Sequence, residues 1–282
     1  MNEAHKKPEV FIHTGMGRTG TTFLQHKVFP KFEKIFFHPQ VKFRKAVKVI
    51  KKGDYQRYLI SGEMEYKKLD KHMKEFSVHF PDARPIIMLR RHDEWIASQH
   101  RRFVKSGYAL KFQEFFNAEN DSGFWERDWL RFKDNIEILE KYYTYKPLVL
   151  FFDDLKKKPH EFILNLAEYL GARVHLPCIN LTPKHASYNE KQLRAVYTVS
   201  KKISLRKRKP SNSKAVNVMI NLLRNLLRYT ILFLAPAIPN SWLSTDQFLP
   251  DSDQLKKIRE QYTPDWEACI QYAEMNNPTF SV

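Results

Sequence analysis

The feature that most restricts the fold of this chain is a repeated alternation. Four short segments, residues 10–14, 58–61, 85–89 and 147–152, are almost wholly apolar, and stretches with helical spacing of apolar residues lie between and after them. A strand that is apolar on both faces must be covered on both, and strands separated by helices line up in parallel. The expectation is an α/β fold, a three-layer sandwich with a central parallel sheet flanked by helices. After Gly171 the alternation stops. Helical candidates follow at 190–203, 216–234 and 254–275, the last interrupted at Pro264, so the chain is expected to end in a helical part. We read residues 1–282 as a single domain, with an α/β core over 8–175 and a helical part over 176–282.

Composition narrows the partners. A chain of 282 residues that is 43% hydrophobic can bury such a core without staples. Cys178 and Cys269, the two cysteines, form neither a disulfide framework nor a zinc site, and the eleven histidines show no ligand spacing, so no metal is expected. The net charge of +17 favours anionic partners: phosphorylated cofactors, acidic glycans, anionic membranes or nucleic acid. Residues 1–10 carry no apolar run of signal-peptide type. No later stretch is read as uninterrupted and apolar for the length a bilayer requires. A cytoplasmic location is expected. A basic run, Arg206-Lys207-Arg208-Lys209, precedes the apolar stretch 216–234, and peripheral contact with an anionic membrane through 206–234 is the alternative to packing. Packing or substrate cover is preferred, because Asn217, Asn221, Arg224, Asn225 and Arg228 are taken to interrupt both helix faces.

The first strand runs into Gly15-Met16-Gly17-Arg18-Thr19-Gly20-Thr21-Thr22 and then a helix. Free backbone N–H groups and the helix dipole make such a turn a seat for an anion. Glycines keep side chains out of the way, three threonines add hydroxyl donors, and Arg18 adds a fixed charge. Gly15 and Gly20 have the spacing of the nucleotide-triphosphatase P-loop, but Thr21 stands where that motif needs its lysine. The loop can bind phosphate, while the usual grip on β- and γ-phosphates and magnesium is missing. A kinase using ATP and magnesium is therefore a weaker reading, and a non-catalytic basic binder of membrane or nucleic acid is a third.

The run Ile12-His13-Thr14 through Phe23-Leu24-Gln25, with Gly17, Arg18, Thr19, Gly20, Thr21 and Thr22 at its centre, resembles the 5′-phosphosulfate loop of sulfotransferases. These enzymes use 3′-phosphoadenosine 5′-phosphosulfate (PAPS). The likeness is closest to their bacterial, carbohydrate-sulfotransferase-like branch, and Arg18 replaces the usual lysine. A second stretch, Leu89-Arg90 to Ser98, is similar to the family's 3′-phosphate motif, in which a strand-end arginine and a helical serine hold the nucleotide's 3′-phosphate. Phe152-Asp153-Asp154-Leu155 through Phe162 and Leu170-Gly171 resemble the end of the family's fourth strand, its acidic-Leu turn and the following helix ending in Leu-Gly, a structural part.

The resemblance implies a P-loop-like fold and an enzyme that moves a sulfuryl group from PAPS to a hydroxyl or amine. 3′-Phosphoadenosine 5′-phosphate (PAP) is the product, and neither metal nor nucleic acid takes part. It implies that 8–175 binds the donor and that 176–282 covers an acceptor, a carbohydrate or glycoconjugate by preference. Arg18 would stabilise the reacting oxygens, and Glu63, at the end of the second apolar segment, would take the acceptor's proton. Glu65 competes for that role, and Glu63 can equally be a solvated carboxylate. His13 is expected to pack at the strand end, and His92 and His100 are weaker candidates for a base. Aromatics over 108–129 could stack on sugar rings, although aromatics more often build core.

Overall fold

Val10, Phe11 and Ile12 are fully buried, as a strand with neighbours on both edges and layers on both faces requires. In the computed structural model, which describes residues 7–39, 43–63, 66–182, 188–207 and 211–280, this strand is the middle of a five-stranded sheet. In chain order the elements are β1 (Glu9–Gly15), α1 (Thr21–Phe23), β2 (Phe36–His38), α2 (Phe43–Lys52), β3 (Arg57–Glu63), α3 (Tyr66–Ser77), β4 (Arg84–Leu89) and α4 (His92–Lys105). They continue with α5 (Phe112–Phe115), α6 (Phe132–Tyr142), β5 (Leu148–Phe151), α7 (Phe152–Lys157), α8 (Pro159–Tyr169), α9 (Glu190–Lys202), α10 (Lys214–Leu234) and α11 (Ser252–Asn276). All described strand pairs are parallel, in the order β2-β3-β1-β4-β5. The α/β expectation holds: one parallel sheet flanked by helices, followed by a helical part.

The chain divides into two compact units. The first comprises Met1–His92, Asp128–Lys184 and Arg259–Val282, so the final helix from Arg259 onward belongs to the unit that holds the sheet. Strand pleating sends Phe11, Leu59, Ile86, Met88 and Leu148 to one face, where they meet Leu24, Val28, Phe29, Phe162, Ile163 and Leu166. Ile12, Ile60, Ile87 and Val149 alternate with them and are equally buried, and α6 packs against β4 and α3. Burial of this kind, at ~25 cal/mol per Å² of apolar surface, is the main favourable term for the unit.

Three elements depart from expectation. Residues 32–56, where the four apolar segments left no strand, contain the edge strand β2 and the helix α2. Helix α11 is not interrupted at Pro264 but runs through it. Interactions on both sides of the proline hold it together. Thr263 Oγ1 donates to the Arg259 carbonyl at 2.8 Å, Asp265 accepts from the backbone N–H groups of Phe132 and Lys133, and His92 stacks on Tyr262.

The second unit comprises Asp93–Arg127 and His185–Ile258. Helices α9 and α10 enclose Ala195, Val196, Leu205, Ile231, Leu232 and Leu243. The aromatic stretch is mostly core: Phe112, Phe115 and Phe116 are buried, and Trp125 meets Trp95 edge to face at 5.6 Å. The expectation of no apolar segment long enough for a bilayer is corrected. Lys214–Ala237 is long and apolar enough by length and composition, although one side of it packs on the protein. The expectation that asparagine and arginine break both faces of α10 is also corrected. At ~100° per residue, Asn217, Asn221, Arg224, Asn225 and Arg228 fall on one stripe, and the described burial puts that stripe inward. Arg208 and Lys209 of the basic run lie outside the described residues.

Candidate functional site

β1 ends at Gly15, and a helical run begins at Thr21, continues as a π-helical segment over Leu24–Val28 and closes in a 3-10 turn at Phe29–Lys31. Two glycines make the intervening loop possible. A Cβ at Gly15 would lie 1.8 Å from Thr21 Oγ1. Gly20 has φ +88°, and a Cβ there would come within 3.1 Å of Phe152 and Leu155. Both positions require the missing side chain. Arg18 has φ +75° without being glycine, a conformation that costs roughly 1–2 kcal/mol. Such strain persists where neighbours over-determine the backbone. Here Thr19 Oγ1 donates to the Met16 carbonyl at 2.6 Å and lies 3.3 Å from Thr21 Oγ1.

The three threonines have different positions. Thr19 and Thr21 are buried, their hydroxyls bonded within the loop, so the position a P-loop lysine would take is packed into the protein. Thr22 is exposed, and its hydroxyl donates to Glu63 Oε1 at 3.2 Å. That contact follows from register, since Gly15 and Glu63 are partners across β1 and β3. On the other side, Gly15 is paired with Met88 of β4, and Arg90 leaves that strand end. Arg90 Nη1 donates to the Arg18 carbonyl at 3.4 Å across a sequence separation of 72, with its guanidinium 4.7 Å from the centre of the Phe152 ring.

Within the first unit, therefore, Arg18, Thr22, Glu63 and Arg90 gather around one loop at the carboxyl ends of β1, β3 and β4. The strand order changes direction at this place, and open parallel sheets carry their ligand crevice there. Gly17 lies in the same loop and is half-buried, and Arg18 is exposed. Ser98 is buried in the second turn of α4 and belongs to the second unit. Glu65 lies outside the described residues.

The histidines are committed elsewhere. His13 is buried behind the loop, with Nδ1 2.7 Å from Ser61 Oγ, and Gln25 Nε2 donates to the same hydroxyl at 2.9 Å. Burial pushes His13 down to about 3, so it is neutral and supports the structure. His92 is buried against Phe132 and bonded to Asp265, and His100 is buried, bonded to the Leu110 carbonyl and pushed down to about 4 by desolvation. The sequence reading gave Phe152 and Leu155 a structural part without placing them at the loop, where their side chains back Gly20 and, for Phe152, Arg90. Their place directly after an apolar strand was the available signal, since strand ends in this architecture converge on the crevice.

No family model matches the sequence, and no curated protein matches it. Among solved structures the chain is similar to a sulfotransferase from Alicyclobacillus acidocaldarius, at 13% identity and a TM-score of 0.48, over 84% of this chain and 99% of that one. It is also similar to the sulfotransferase domain of the Synechococcus PCC 7002 olefin synthase, at 13% identity and a TM-score of 0.42, over 79% and 97%. A third is the sulfotransferase domain from the curacin biosynthetic pathway, at 13% identity and a TM-score of 0.35, over 91% and 98%.

Proposed function

We propose that this chain is a PAPS-dependent sulfotransferase whose donor sits on the loop Gly17–Thr22, with Arg90 on the donor's 3′-phosphate. The observation that carries the reading is the convergence of two separate sequence motifs: Arg90 donates to the backbone of Arg18 itself. A donor with two separated anionic groups suits a loop with an exposed arginine on it and a second arginine beside it. The binding of Ser98 to the 3′-phosphate is a proposal carried by the sequence pattern alone.

The donor supplies an activated sulfuryl group on a phosphate leaving group. Arg18 and the loop N–H groups stabilise the oxygens on which negative charge gathers as the S–O bond to phosphate breaks, an electrostatic role typically worth ~3 kcal/mol per donor. Arg18 stays protonated at any working pH and holds charge rather than donating a proton. Glu63 takes the proton of the attacking hydroxyl or amine as the new bond to sulfur forms. Its hydrogen bond from Thr22 ties that carboxylate to the loop that holds the donor. The resemblance alone supplies the acceptor class, a carbohydrate or glycoconjugate.

The test is turnover of sulfur-labelled PAPS with a panel of glycans and amines. Label transfer with release of PAP is expected, and Glu63→Gln should lower turnover about 100-fold while PAP affinity changes little. Magnesium-dependent ATP turnover with no PAPS turnover would overturn the assignment.

A further inference from the structure

Helix α10 is inside out. The stripe turned inward bears Asn217, Asn221, Arg224, Asn225 and Arg228, with Arg228 buried and donating to the Ser106 carbonyl at 3.4 Å. The stripe turned outward bears hydrocarbon. Val218, Met219, Leu222, Leu223, Leu226 and Phe233 are between 57% and 81% exposed. A helix on a water-facing surface has the opposite arrangement. A contiguous apolar face of this length marks a surface that meets something other than water.

We infer that the outward face of α10 docks the protein on an anionic membrane, lying in the plane of the lipid headgroups with its leucines in the acyl boundary. Charge selects this occupant. From Lys191 to Thr245 the sequence carries no Asp or Glu. Lys202, Lys207 and Lys214, all exposed, lie at or ahead of the amino end of α10. Beyond its other end Trp242 is 75% exposed in the turn Asn240–Trp242, and tryptophan is favoured at the lipid–water interface. A second copy of the chain fits less well, because a two-fold interface sets the same patch against itself and would bring two acid-free basic regions together. Spanning is disfavoured by the inner stripe, which packs its arginines, Ile231 and Leu232 on the protein and leaves one side for lipid. This surface is independent of the donor reading.

The test is flotation of the full chain with phosphatidylglycerol-containing vesicles and with pure phosphatidylcholine vesicles, alongside sedimentation of the chain alone. The expected result is binding to the anionic vesicles, weakened about fivefold for each surface lysine removed from Lys202, Lys207 or Lys214. L222E/L226E should weaken it about 100-fold or more. Both leucines are exposed, so the variant is expected to keep its circular dichroism and thermal midpoint. Should it fail to fold, bromine-labelled anionic lipid quenching the wild type's fluorescence, with the quenching reduced in Trp242→Phe, supports the same inference. Absence of wild-type binding to anionic vesicles overturns it. So does a folded L222E/L226E variant that binds unchanged, or a wild-type dimer that the substitutions disperse without affecting vesicle binding.

Discussion

The loop after β1 and the helix α10 both carry arginines, and they dispose of them in opposite ways. In the loop, hydroxyls of Thr19 and Thr21 are buried and bonded internally, while Arg18 stands exposed on a strained backbone. In α10, Arg228 is buried against the backbone of Ser106, while leucines stand exposed. Polar atoms spent on internal bonds fix a geometry, and groups left outward reveal the medium expected there. By that rule the loop awaits an anion in water, and the helix awaits hydrocarbon bordered by negative charge.

Breaking the loop's geometry should give the largest effect. Gly15→Ala places a methyl group on Thr21, where only backbone movement relieves the clash. Loss of about 3 kcal/mol or more of stability and of PAP binding is expected, read by urea unfolding and calorimetry. Next comes the support behind the loop. His13 is neutral in the fold and protonates in the unfolded chain below about 6.5, so its contribution is intact above that pH and is lost as pH falls toward about 3. In His13→Gln, the fall of stability with acid between pH 6.5 and 4.5 should be shallower by up to about 1.4 kcal/mol per pH unit. A slope identical to the wild type's would show that His13 is not held neutral.

Smaller changes separate the two arginine environments. Arg18→Gly should lower PAP affinity about tenfold while raising stability by about 1 kcal/mol, because glycine accepts a φ of +75° without strain. Arg228→Met should leave PAP and vesicle binding unchanged and alter stability by no more than about 1 kcal/mol, since a buried cation contributes little over an apolar side chain of similar size. Thermal melts and titrations of the pair then show whether one arginine serves a ligand and the other serves packing.

The sheet was legible because four of its strands are apolar on both faces. β2 was not, being three half-buried residues at the sheet's edge. Helix α2 was legible but unread: Phe43, Ala46, Val47 and Ile50 recur at helical spacing between its basic residues. The strand–loop–helix turn could be read from its glycines, yet which threonines turn inward depends on Gly15 leaving room for Thr21, a tertiary fact. The place of Phe152 and Leu155 after an apolar strand marked them as lying near the crevice, but that they back Gly20 depends on strand order, a tertiary fact. For α10 the information was present in the spacing of Asn217, Asn221, Arg224, Asn225 and Arg228. A polar stripe is ordinarily assigned to the solvent side, and burial is what inverts that assignment.

The central claim is that the loop and Arg90 together hold a nucleotide with phosphates on both its 5′ and 3′ positions. Calorimetric titration of the wild type and of Arg90→Ala with PAP and with adenosine 5′-monophosphate tests it most directly. The account predicts that the wild type binds PAP about 30-fold or more tightly than the monophosphate, the worth of a charge-assisted pair of hydrogen bonds. In Arg90→Ala that preference should fall to a few-fold, the part that Ser98 can supply. Equal affinity of the wild type for the two nucleotides, or a preference undiminished in Arg90→Ala, would contradict it.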